Sequence, residues 1–142
     1  MKNVIHFVTL ILVATITNNI KAQELKLKDG QVLQGEKAIF SYDKKALNNE
    51  FHLYRLNTDK TIVTMKQVHH GDSETSAVNG YKSLSFSKQD VLIESTILRN
   101  RNWKFIIQLL LDEKVIDTNG VINIPNLERF TGKYDEKITP RK

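Results

Sequence analysis

The chain has 142 residues, 26% of them charged and 40% hydrophobic, with no cysteine and a formal net charge of +5 at pH 7. Lack of cysteine excludes disulfides, thiolate metal ligands, a thiol nucleophile and a lipid-modified cysteine. The lysines and arginines are scattered and carry no DNA- or RNA-binding signature, so nucleic acid is not an expected partner.

The first 22 residues read as an export signal. Lys2 gives a positive start, and Val4 to Ile16 is apolar apart from His6, Thr9 and Thr15. Thr17-Asn18-Asn19 and Ile20-Lys21-Ala22 come next, with Ala22 as the small residue before a cut. The apolar run falls short of the roughly 20 residues needed to span a bilayer. The expected mature chain starts at Gln23, is periplasmic or secreted, and has no transmembrane segment. Lys2 and Lys21 leave with the signal, so 120 residues remain, with 19 basic against 16 acidic side chains, net +3. That length suits a single domain able to bury a core without staples.

The mature chain opens with strands. Leu25 and Leu27 alternate with Lys26 and Lys28, then Asp29-Gly30 leads into Gln31-Val32-Leu33. Asp-Gly between short alternating runs marks a hairpin, because a primed turn needs positive φ. Gly35 marks a second turn, and residues 38–42 read as a third strand. Residues 51–56 and 61–68 form a second hairpin, turned at Thr58-Asp59-Lys60; the returning run is rich in β-branched residues. His69 to Gly80 is a long polar loop. Residues 81–86 alternate again. Residues 91–97 read as a strand, although Ser87 and Asp90 also fit a helix-start capping box.

The period then changes. Trp103, Ile106, Ile107, Leu110 and Leu111 fall on one helical stripe, capped by Asn100 or Asn102 and ended at Asp117-Thr118-Asn119-Gly120. Asn123 caps a second helix with Pro125 in its first turn and Leu127, Phe130 and Tyr134 on its inner face. The expected fold is α+β, an antiparallel sheet of about five to seven short strands followed by a C-terminal helix pair packed on it. The domain spans 23–134, and 135–142 is a flexible basic tail.

Chemistry is sparse. His69, His70, Asp72 and Glu74 gather imidazoles and carboxylates in the long loop, types that bind divalent metals. Adjacent histidines at a strand end point to opposite sides, and His52 lies on another strand, so no metal site or cofactor is assigned. Residues 117–122 have a faint calcium-loop look. With Gly120 at loop position 6, however, Val115 and Asn126 stand where the loop needs acids. No Gly-x-Ser-x-Gly elbow or phosphate-cradling glycine loop is present, and no catalytic residue is assigned. Arg99, Arg101 and Lys104 precede and open the first helix, either as a cationic spot or as a solvated rim, and Trp103 is either a core anchor or a ligand platform.

Several stretches make up one layout. They are a signal ending at Ala22-Gln23, a strand-rich middle, the run Phe105-Ile106-Ile107-Gln108-Leu109-Leu110, and Lys114-Val115-Ile116. The Gly120 turn, Leu127-Glu128-Arg129-Phe130 and Lys133-Tyr134 complete it. In this layout the chain resembles a group of small, exported, uncharacterised proteins of Gram-negative bacteria. The resemblance implies no activity and no site residues. The expected function is a non-enzymatic binding or accessory module of the cell envelope with a protein partner there, its contact surface on the 69–80 loop. Two alternatives stand beside it: a hydrolase-like enzyme whose carboxylates meet only in the fold, and a carrier of a small ligand or metal.

Overall fold

The computed structural model describes residues 23–69 and 80–142. Residues 1–22, where an export signal is expected, and most of the expected 69–80 loop, with His70, Asp72 and Glu74, lie outside them. Seven strands form one antiparallel sheet in chain order: β1 (Leu25–Lys28), β2 (Gln31–Gln34), β3 (Lys37–Lys45), β4 (Glu50–Arg55), β5 (Thr61–Val68), β6 (Tyr81–Phe86) and β7 (Val91–Ser95). Two helices come after them, α1 (Trp103–Asp112) and α2 (Ile124–Tyr134). The fold is α+β, as expected. α1 lies against β1 and α2 against β7, so the helices meet the two outermost strands. Among the described residues, no helix is long and apolar enough to cross a membrane.

Local chemistry explains the turns. Asp29 and Gly30 take φ of 52° and 77°, the primed turn that the Asp-Gly pair favours. Residues 87–89 form one 3₁₀ turn, Asp90 is left-handed, and β7 begins at Val91. The capping-box letters thus serve a turn, and 91–95 is a strand. Asn102 and Asn123 cap the helices, accepting from the N–H of Phe105 (2.7 Å) and Asn126 (2.9 Å).

One helix boundary differs from expectation. α1 stops at Asp112, with Lys114 left-handed (φ 55°) and the Val115 N–H bonded back to the Leu110 carbonyl at 2.9 Å. Gly120 instead turns a small hairpin that bridges Ile116 and Ile122. Its φ is +75°, and a Cβ there would lie 2.7 Å from Ile62 Cδ1. Both the conformation and the close approach require glycine.

Cross-strand partners share a face, which places the core. Phe51 pairs with Met65, Leu53 with Val63, and Leu84 with both Met65 and Ile93; all are buried. Ile106, Ile107 and Leu110 from α1, and Leu127 and Phe130 from α2, complete that core. Lys82 is in phase with Leu84 and Phe86 and pairs with Gln67 and Ser95. A charged residue therefore occupies the apolar face.

Residues 135–142, expected to be a flexible tail, carry a set of bonds to the edge strand β7 and to Thr96 just beyond it. The Glu136 N–H donates to the Glu94 carbonyl (2.8 Å), and the Glu94 N–H donates to Asp135 Oδ1 (3.0 Å). The N–H of Thr139 (2.7 Å) and its hydroxyl donate to the Glu94 carboxylate, and the N–H and hydroxyl of Thr96 donate to that of Glu136. Arg141 forks onto Asp135 at 2.7 and 2.9 Å. An edge strand has unpaired backbone groups, and this segment occupies some of them.

Candidate functional site

The loop end of the sheet gathers the chemistry. Here the β3–β4 turn, the end of β5, the start of β6 and the approach to α1 surround a pocket of about 200 Å3, lined by Asn48, Asn49, Gln67, Lys82, Arg101, Asn102 and Trp103. Lys82 is only 5% exposed. Its Nζ donates to Gln67 Oε1 and to the Arg99 carbonyl, both at 2.7 Å, and sits 4.9 Å from the centre of the Trp103 ring. These partners are neutral, and among the described residues no carboxylate lies within ion-pair distance. Burial without a counter-charge disfavours the ammonium and lowers the Lys82 pKa to about 8. Arg101 lies at the rim, its guanidinium 4.6 Å from the centre of the Phe105 ring.

Trp103 holds a strained turn. Ala46, Leu47 and Asn48 are consecutive non-glycine residues at positive φ (50°, 53° and 69°). Each such residue costs about 1–2 kcal/mol relative to a right-handed one. The indole N–H donates to the Asn48 carbonyl at 3.1 Å, and the Gln67 N–H donates to the Asn49 carbonyl at 2.7 Å. Phe51 lies behind the indole, with ring centroids 5.9 Å apart. Leu47, at the tip, is 96% exposed.

Two carboxylate groupings lie elsewhere. Glu94 and Asp135 are assembled by the fold, with side chains 3% and 2% exposed, and Arg141 reaches both. Burial alone would raise the Asp135 pKa. Arg141 and the N–H groups of Glu94 and Lys137 outweigh it and hold the carboxyl below its ordinary value. A general acid needs the opposite shift, so Asp135 serves as a structural clamp on Arg141 and the Glu94 N–H. On the face away from the core, Glu50 Oε1 meets His52 Nε2 at 2.6 Å, and His52 Nδ1 lies 3.4 Å from the Thr64 hydroxyl. The order of groups is that of a hydrolytic triad. Yet β4 and β5 are paired on both sides, so their N–H groups serve the ladder rather than an oxyanion.

No family model, curated protein or solved structure matches this chain.

The structure brings Arg101 and Trp103 into one pocket and uses Arg99 through its carbonyl. His69 is exposed at the end of β5. Among the described residues, no group of three or more His, Asp or Glu converges as metal ligands. In the calcium-like segment, Asp117 Oδ1 accepts from the N–H groups of Asn119 and Val121, both at 2.9 Å, which makes it a turn former. Sequence reasoning passed over Lys82. The signal for it is the alternation Lys82, Leu84, Phe86, which sets a cation on an apolar face.

Lys82 and Trp103 yield a direct prediction. Tryptophan emission is expected to titrate with a midpoint near pH 8, and Lys82→Met is expected to abolish the step. The folded pKa lies below the ordinary 10.5, so the unfolded chain holds the extra proton between those values. Stability relative to Lys82→Met is therefore expected to rise from about pH 8 toward 10.5. A flat difference between the two proteins across that range would refute this.

Proposed function

We propose that the chain is an exported, non-enzymatic binding module of the cell envelope that presents the loop end of its sheet to a partner. The observation that carries this reading is the turn at 46–48. Three consecutive left-handed residues, the fully exposed Leu47 among them, end at a carbonyl bonded by a tryptophan that also walls a pocket. Strain of this kind persists only where surrounding structure imposes it, and such sites concentrate at binding surfaces. The apolar segment before Gln23 supports export, and periplasmic or secreted placement accords with it.

The test is site-specific photo-crosslinking in living cells. A crosslinking residue at Leu47 is expected to trap one discrete partner. One at Val121, half-exposed at the far end of the molecule, is expected to trap none. The recovered chain is expected to begin at Gln23 and to fractionate outside the cytoplasm. Equal labelling at the two positions, or a cytoplasmic protein with an intact N-terminus, would sink the proposal.

One observation favours a hydrolase, the line of Glu50, His52 and Thr64. Turnover of an envelope ester or amide abolished by His52→Ala would replace the binding reading.

A further inference from the structure

A buried ammonium with neutral partners is an incomplete arrangement. Lys82 has three N–H donors, and two are spent on Gln67 and the Arg99 carbonyl. Its positive charge is offset among the described residues only by dipoles and the face of an indole. Removing a charge from water without a counter-ion is costly, and an anion delivered to the pocket recovers much of that cost. Arg101 at the rim adds a second cation, and α1 begins at the same wall, where a helix is partially positive. The indole N–H is already bonded to Asn48, so Trp103 offers the pocket apolar surface, not a donor.

We propose that the Lys82–Trp103 pocket is a subsite for a carboxylate carried on a small uncharged stem. Lys82 and Arg101 are its charged contacts, and Trp103 is the flank against which the stem lies. The inference rests on the binding-module reading and names the chemistry of one part of that surface. A single carboxylate suits the site better than a phosphate dianion. A pocket of about 200 Å3 with one apolar wall and one buried cation lacks the several donors that a strongly hydrated dianion would need. The terminal carboxylate of a peptide and that of an acidic sugar share this chemistry.

The chain has one tryptophan, so its emission reports on the pocket alone. N-acetyl-dialanine, galacturonate and inorganic phosphate are titrated into the purified protein at pH 7, with calorimetry on the same samples in case the ring is silent. Saturable binding of at least one carboxylate, tighter than that of phosphate, is expected, and which one binds separates a peptide source from a sugar source. Lys82→Met is expected to weaken it about tenfold or more, the scale of one charge-assisted hydrogen bond. Arg101→Gln, a change at an exposed residue, is expected to weaken it about threefold or more. The double variant D72N/E74Q removes the two carboxylates that the sequence places between β5 and β6. Binding that appears only in this variant would mean that the chain fills its own pocket, and would overturn the proposal. So would phosphate binding as tightly as either carboxylate, affinity indifferent to both cation variants, or no binding in any of the proteins. If Leu47 still traps a partner while the carboxylates fail, the binding-module reading survives and this subsite does not.

Discussion

Removal of residues 135–142 is expected to destabilise the domain by about 2–4 kcal/mol, seen as a fall in the denaturant midpoint with little change in slope. The segment supplies charge-assisted bonds to β7 and closes over the Glu94 carboxylate. The entropy of ordering eight residues offsets most of the gross gain, which is why the net figure is small beside the number of bonds. A frayed tail would cost less than about 0.5 kcal/mol on deletion, so the measurement separates the two pictures cleanly. Deletion also bares an edge strand, and concentration-dependent self-association is expected with it.

The same segment carries an acid signature. Asp135 and Glu136 are both held below their ordinary pKa values, as burial, which would raise them, is outweighed by their bonds to Arg141 and to Thr96. Depressed carboxyls contribute stability that is fully present above the unfolded pKa, near 4, and is lost as the pH falls through the folded values. The intact protein is expected to lose stability below about pH 4 more steeply than the deleted one. Parallel acid limbs for the two proteins would contradict the clamp.

Features legible in the sequence are those fixed by neighbours in the chain. The Asp29-Gly30 turn, the two asparagine caps and the apolar stripes of α1 and α2 depend on residues a few positions apart, so each is readable without the fold. Assignments failed where a local signal had a competing use. Gly120 is a good helix stop, but its close approach to Ile62 belongs to a hairpin turn, and Lys114 ends the helix instead. The site was half visible. Arg101 and Trp103 stood out by type, whereas Lys82 acquires meaning only from Gln67 and Arg99, 15 and 17 residues away. The tail was invisible for the same reason, since Asp135 meets Glu94 across 41 residues. Periodicity reports which face a residue occupies, not which distant carbonyl or carboxylate waits there.

Replacement of Phe51 by alanine is expected to have the largest effect of any single change considered, about 3–5 kcal/mol. The ring is fully buried in the middle of the sheet, stacked on Tyr42 with centroids 5.0 Å apart, and forms the backing of Trp103. Its loss opens a cavity directly behind the indole. The fold and the pocket are therefore coupled at this residue. The Trp103 bond to Asn48 is one restraint on the left-handed turn, and Phe51 backs the ring that makes it. In the fraction that stays folded, tryptophan emission is expected to shift to the red, and crosslinking from Leu47 is expected to weaken. Leu127→Ala provides the comparison. It also removes a buried side chain from the core, from α2 rather than from behind the indole, and is expected to cost about 2–5 kcal/mol without moving the emission maximum of the folded state. An unchanged maximum in Phe51→Ala, or an equal shift in both variants, would mean that the turn and its tryptophan stand independently of the core beneath them.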